Sequence, residues 1–322
     1  MRAFVASSFS GFTGLTLRDI PSPTPAEDRL LVRVVAAGVN VVDHSILHGK
    51  MPMVTSPLVL GNEGAGIVEH GDTDFPTGTR VAFGGPFGVL EQGTYAEFVA
   101  VPKAMLYRVP ANINLIEAAG LPVAYISAFI ALEMAGFAAG KIVYAPGVFG
   151  GIGNATLQLA RALGAKQVIS STASSEKASR AHAAGFDHVI DMSTEPLVAA
   201  VRRMTEDYGV DVVVDGLSGP ILSASLSVLA TQGTIVTVGY SAGREANIDV
   251  TNLIWKSGQI KGFNFLLETP ERWELAWESI QSLLAKEEIR PIVDQVFSFE
   301  ETADAMRYLV EERPSGRVIV AL

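Results

Sequence analysis

The chain has 322 residues, 48% of them hydrophobic and 18% charged, with a formal net charge of −10 and no cysteine. This length and composition suit about two folded domains and exclude a disordered chain. The absent thiols exclude disulfides, thiol nucleophiles, iron–sulfur clusters and cysteine-ligated zinc, and the excess of acid disfavours nucleic acid or an anionic membrane as partner.

The opening Met1-Arg-Ala-Phe-Val is too short an apolar stretch for a signal peptide, so a cytoplasmic protein without a targeting segment is expected. The first third alternates short strands with turns. Strands are expected over Arg29 to Ala36, Gly64 to Glu69, Thr79 to Phe83 and Tyr95 to Val101, bounded by glycines and prolines. Asn114 with Glu117 three residues on forms a capping box that opens a helix. Gly120 to Gly140 is the most membrane-like stretch. Pro122, Ser127, Glu133 and its glycines make it a buried helix rather than a span.

Beyond Leu121 strands alternate with helices. Strands are predicted over Lys141 to Ala145, Gln167 to Ser171, His188 to Asp191, Val210 to Asp215 and Thr234 to Gly239. Helices are predicted over Asn154 to Leu163 and Ser175 to Ala184. Another is predicted from beyond Asp191 to about Tyr208. This rhythm specifies a parallel sheet covered on both faces, and Val212-Val-Val and Ile235-Val-Thr-Val are apolar throughout, as such strands must be. In the tail, Pro270 to Lys286 reads as an amphipathic helix. A second capping box, Ser298 with Glu301, opens a helix to about Glu312, and Gly316 to Leu322 is a closing strand. Residues 122–264 hold ten basic and eleven acidic residues, against fourteen and twenty-three in the rest. The α/β part is therefore the better host for an anionic cofactor.

The most informative stretch is Tyr144-Ala-Pro-Gly147-Val-Phe-Gly150-Gly151-Ile152-Gly153, between a predicted strand and a predicted helix. It approximates the dinucleotide fingerprint, with Val148 in place of the first glycine and Gly147 beside it. Helix N-terminal amides there would face a pyrophosphate. About 20 residues on, a free ribose 2′-hydroxyl calls for an acid at the strand end. Ser171, Thr172 and Ser174 stand there instead, with Lys177 following, which suits a 2′-phosphate and favours NADPH over NADH.

These residues carry a family resemblance. The chain resembles the medium-chain dehydrogenase/reductases, in the zinc-free quinone oxidoreductase (zeta-crystallin-like) branch. The resemblance runs over essentially its whole length. Its markers are Ala36-Ala-Gly-Val-Asn40-Val-Val-Asp43, Leu60-Gly-Asn-Glu-Gly-Ala-Gly66, Gly78-Thr-Arg-Val81, Gly93-Thr-Tyr-Ala-Glu97, Leu121-Pro-Val-Ala124, the glycine turn, Val213-Val-Asp215 and the Gly316 tail. It implies an α/β fold with a Rossmann-type doubly wound parallel sheet over 122–264. This is inserted into a discontinuous GroES-like, β-rich catalytic domain over 1–121 and 265–322. It also implies a homodimer joined at the edge of the nucleotide-domain sheet, near Ile260 to Leu266.

Zinc-dependent relatives place a Cys where Asn40 stands and a His where Asn62 stands before Glu63, so no metal is expected here. His44 and His48, four apart, have no third ligand in view. Hydride transfer without a metal suits a quinone or an α,β-unsaturated carbonyl. Enoyl-thioester reduction and non-catalytic NADPH binding remain alternatives. By resemblance, Asn40 lies near the nicotinamide, where it orients the ribose or donates to the acceptor oxygen. Ser127 takes the position facing the nicotinamide ribose, or bonds its own helix. Asp43 joins the chemistry or caps a helix, and Tyr125 donates a proton or packs. Further cofactor contacts are expected from Gly216, Gly239 and Tyr240 at strand ends. The backbone of Phe263 to Phe265 is expected to meet the carboxamide, and Arg313 the phosphates. Relatives often have a Tyr touching the 2′-phosphate where Met192 stands.

Overall fold

The chain begins as strands, β1 (Arg2–Ala6), β2 (Leu15–Asp19) and β3 (Arg29–Val39), and then turns through helix α1 (Val41–Leu47). Next come β4 (Leu58–Val59), β5 (Glu63–His70), β6 (Arg80–Gly84), β7 (Phe98–Pro102), β8 (Leu106–Arg108) and helices α2 (Leu115–Ala118) and α3 (Pro122–Met134). The alternating part follows as β9 (Ile142–Pro146), α4 (Gly151–Ala162), β10 (Gln167–Thr172), α5 (Ser175–Ala183), β11 (Val189–Asp191), α6 (Leu197–Met204), β12 (Val210–Asp215), α7 (Pro220–Val228), β13 (Leu229–Thr237), α8 (Val250–Lys256) and β14 (Gln259–Gly262). The tail adds α9 (Pro270–Ala285), β15 (Val293–Ser298), α10 (Thr302–Glu311) and β16 (Arg317–Ala321). This computed structural model describes all 322 residues.

Two compact units result. One is Met1–Val123 with Phe265–Glu287 and Pro291–Leu322; the other is Ala124–Asn264 with Glu288–Arg290. In the first, β3 is the hub. Its early half pairs antiparallel with β7, its length with β5, and its last residues with β16, which brings the end of the chain against Ala36 to Val39. Every second residue of its first half, Leu30, Val32 and Val34, is buried, the period-two pattern of a strand with one face in a core. Those residues join Val81, Phe83, Phe87 and Val101 in one cluster, while Phe4, Ile46, Leu60, Tyr95, Phe299 and Val320 form another.

In the second unit six strands run parallel in the order β11-β10-β9-β12-β13-β14. This is the doubly wound order whose direction reverses between the first strand and the fourth, here β9 and β12. β9 and β12 are buried along their whole length, as a sheet covered by helices on both faces requires. The expected α/β fold class is thus present: a Rossmann-type sheet and a β-rich unit.

Several boundaries differ from expectation. α4 begins at Gly151, not Asn154, because Gly150 caps it in an extended conformation. The helix expected to reach Tyr208 stops at Met204, where Glu206 and Asp207 turn left-handed (φ 51° and 64°). β13 starts at Leu229, five residues early, and ends at Thr237, while the strand expected from Tyr95 starts at Phe98. No helix is long and apolar enough to cross a membrane.

Candidate active site

Two groups of residues carry the candidate chemistry, one in each unit. In the β-rich unit, β3 ends at Val39 and Asn40 caps α1. Asn40 N donates to Asp43 Oδ2 at 2.9 Å, half of a capping box. Asp43 is fully buried. It also accepts from Gly61 N at 3.2 Å and from the Tyr95 hydroxyl at 2.9 Å. Burial pushes its carboxyl up to about 7 against the pull of these donors. Burial likewise lifts the Tyr95 phenol well above its usual range. Of the two readings of Asp43, the cap is the one its geometry fills.

The Asn40 side chain sits in a charged frame. Its Nδ2 donates to Asn62 Oδ1 at 2.7 Å and to Glu63 Oε1 at 2.8 Å. Its Oδ1 accepts from Arg317 Nη2 at 3.1 Å, and Arg317 pairs directly with Glu63, whose carboxylate is fully buried. Glu63 Oε2 takes the amide of Val123 at 2.8 Å. The charges fix which way the amide points: N–H to carboxylate, C=O to guanidinium. Both N–H groups of Asn40 are thereby spent, so it does not donate to an acceptor oxygen; a lone pair on Oδ1 is what it can offer. This corrects one of the two roles expected for it.

The same positions bear on metal binding through their chemistry. Amides are poor zinc ligands, Asn40 turns its nitrogen toward Asn62 and Glu63, and a guanidinium stands against the one carboxylate. The set does not fit a zinc ion. His44 lies in α1 and His48 at its C-cap, with ring centroids 4.0 Å apart and planes tilted by 32°, and no group of three or more His, Asp or Glu side chains in the chain could hold a metal ion.

Glu63 and Arg317 were not among the expected site residues. The available signal was local: each is a charge that opens a strand and is followed by a run of uncharged residues, and a buried charge needs a partner.

In the α/β unit, the glycine turn follows β9 at the reversal of strand order. Gly147 is left-handed (φ 80°), and the amides of Gly147 and Val148 both donate to Ser171 O at 3.1 Å. A Cβ on Gly153 would lie 2.2 Å from Gly147 O and 2.3 Å from Pro146 O, so helix and strand meet there without room for a side chain. A Cβ on Gly150 would meet only Gly147 O, at 3.3 Å. The amides of Gly151, Ile152 and Gly153 form the first turn of α4 and have no intrahelical carbonyl to bond. The arrangement fits a pyrophosphate.

The neighbouring strand ends converge on this turn. A Cβ on Gly216 would touch Ile152 at 3.0 Å, and one on Gly239 would lie 2.7 Å from Gly216 O. Asp215 caps the β12 turn, accepting from Leu217 N at 2.8 Å and Ser218 N at 2.9 Å. Its Oδ2 is buried without a partner, and burial raises its pKa. Tyr240 is exposed, with the Arg244 guanidinium 5.7 Å from its ring.

The expected 2′-phosphate donors divide. Ser171 Oγ is fully buried against the Tyr144 hydroxyl at 2.7 Å, so its side chain is not presented to a ligand; its carbonyl instead holds the glycine turn. Thr172 is nearly buried. Ser174 caps α5, accepting from Lys177 N at 3.4 Å, which leaves its own O–H to donate, and Lys177 stands half-buried one turn into the helix. The Phe263 N–H is taken by Thr237 O at 3.0 Å, so of its two backbone groups the carbonyl is the one left for a carboxamide. Phe265 lies in the other unit, its ring stacked on Trp273 at 4.6 Å. Tyr125 is buried, accepting from Gln158 Nε2 at 3.0 Å, which fits its packing role; Ser127 is buried in α3. Arg313 is exposed and left-handed (φ 49°) in the turn after α10.

Residues 26–111 match the alcohol dehydrogenase GroES-like domain, and residues 151–282 match the zinc-binding dehydrogenase domain. A crystal structure of the quinone oxidoreductase from Thermus thermophilus, solved also in complex with NADPH, superposes with a TM-score of 0.86 at 31% identity, covering 100% of both chains. The chain belongs to the medium-chain dehydrogenase/reductase superfamily. Relatives named for quinone and alkenal/one oxidoreduction make it an oxidoreductase of that superfamily. The NADPH-dependent alkenal/one oxidoreductase of Arabidopsis thaliana chloroplasts is 29% identical over 99% of this chain and 79% of its own length. A highly reducing polyketide synthase of Arthrinium phaeospermum, apmlA, is 27% identical over 94% of this chain, but the chain spans only 13% of that protein.

Proposed function

We propose that the chain is a zinc-independent reductase that uses NADPH to transfer hydride to a quinone or an α,β-unsaturated carbonyl. The observation that carries this reading is the frame around Asn40. Where a catalytic metal would need three good ligands, the chain has two amides and a carboxylate already paired with Arg317. Acceptors that are electrophilic without a Lewis acid suit such a site. NADPH, when bound, supplies the hydride. The first-turn amides of α4 take the pyrophosphate, and Ser174 and Lys177 take the 2′-phosphate. Asn40 accepts a hydroxyl hydrogen through Oδ1 and so orients rather than polarises. The Thermus and Arabidopsis relatives, named for quinone and alkenal/one oxidoreduction, support this choice of acceptor.

The same reading makes the protein a homodimer joined along β14. That strand is the outermost of the sheet, and Val250, Ile254 and Trp255 on the helix before it are exposed, Trp255 to 85%. A cysteine-free chain suits the reducing cytoplasm, where we place it. The test is direct: calorimetric titration with NADPH and NADH, then turnover with a small 1,4-quinone and with an alkenone. NADPH should bind at least about tenfold tighter, a difference of about 1.4 kcal/mol, and at least one acceptor should be reduced. Tight NADPH binding without turnover of either would replace this reading with a non-catalytic one.

A further inference from the structure

Helix α5 carries a second cation on the face that bears Lys177. Arg180 follows Lys177 by three residues, the spacing that puts two side chains side by side on a helix. Its guanidinium carbon lies 6.0 Å from the ring centroid of Phe149. Phe149 is a residue of the glycine turn itself, almost wholly buried between Gly147 and Gly150. This contact directs Arg180 back along α5 toward the turn. Ser174, Lys177 and Arg180, spaced by three, then share one side of this helix, the side on which Arg180 meets Phe149.

An opposing charge stands close by. Asp191, at the end of β11, is in register with Thr172 of β10. Its carboxylate accepts from Ser175 Oγ at 2.5 Å and from Ser193 N at 2.9 Å and Oγ at 2.5 Å. These bonds hold it ionised, with its pKa lowered. Glu176, in the first turn of α5, adds a second acid. A phosphate dianion at this strand end therefore needs more than one cation to outweigh the acids around it. A guanidinium also offers it a two-pronged contact that an ammonium does not.

We propose that Arg180 is a specificity-determining residue for the cofactor, binding the 2′-phosphate together with Lys177 and Ser174. The proposal rests on the NADPH reading above. It adds a residue that the strand-end signature did not point to. Asp191 works against the same phosphate and sets how far NADPH is preferred.

The test uses the full chain and two probes that differ only at the 2′ position, adenosine 2′,5′-bisphosphate and adenosine 5′-monophosphate, with binding measured by calorimetry. The wild type should bind the bisphosphate tighter. Arg180→Gln should cut that preference about fivefold to tenfold and leave binding of the monophosphate unchanged, with Arg180→Lys retaining part of it. Asp191→Asn should raise the preference. If the wild type prefers the bisphosphate and Arg180→Gln leaves the ratio intact, Arg180 does no more than pack against Phe149. The proposal then fails while the NADPH reading stands. If the wild type binds both probes equally, both fall together.

Discussion

Removing Arg317 would leave Glu63 a fully buried carboxylate with an amide and a side-chain N–H for company but no counter-charge. Breaking such a pair from one side costs about 3–5 kcal/mol. Arg317→Met should therefore lose that much in urea unfolding, whereas Arg317→Lys should lose markedly less. Equal losses would mean that the cation is there for its volume, not its charge. Asp43 makes a second prediction, with an unusual sign. Its folded pKa, pushed up to about 7, lies above the ordinary 3.8. Between those values the folded state holds a proton that the unfolded state has released. Asp43's contribution is therefore full below about pH 4, falls as pH rises, and levels off above about 7. The slope is at most about 1.4 kcal/mol per pH unit. Unfolding measured at pH 5 and pH 8 should show the wild type losing stability relative to Asp43→Asn as pH rises; parallel pH profiles would contradict the buried, proton-holding carboxyl.

At the scale of elements, the two glycines that open α4 should respond differently to the same added methyl group. Gly153→Ala places a Cβ against two backbone oxygens that cannot rotate away, so α4 must move off β9. A melting temperature several degrees lower and weakened NADPH binding should follow. Gly150→Ala meets only one oxygen, at 3.3 Å, so the fold should be kept and the loss confined to binding. If the two variants melt alike, the close approach of helix and strand at Gly153 is not what the glycine serves. The alternating part of the chain was legible because its strands are continuous apolar runs. β12 falls at Val210–Asp215, as the pattern has it. Helix ends were less legible, since two left-handed residues, Glu206 and Asp207, end α6 and neither type announces that conformation. The site divides in the same way. Asn40 and the glycine turn stand out locally. The Arg317–Glu63 pair joins residues 254 positions apart, and the engagement of Ser171 by Tyr144 arises only when β9 and β10 lie side by side.

For the whole molecule, the charge is unevenly placed: the alternating part is nearly neutral and the rest strongly acidic. A nearly neutral α/β unit suits the proposed anionic cofactor better than a strongly acidic one would. Association through β14 makes its own prediction. Ile254→Glu with Trp255→Glu should yield a monomer by light scattering on a size-exclusion column, at unchanged melting temperature, if the exposed apolar side chains of α8 cover a second copy. An unchanged mass would place the interface elsewhere. The claim on which the functional reading turns is that the Asn40 frame works without a metal. The most direct measurement is steady-state oxidation of NADPH with a small 1,4-quinone, before and after exhaustive treatment with a strong chelator, with the zinc content determined on the same sample. Turnover that survives the chelator at less than about one-tenth of a zinc per chain is the predicted result. Loss of turnover that zinc restores would contradict it.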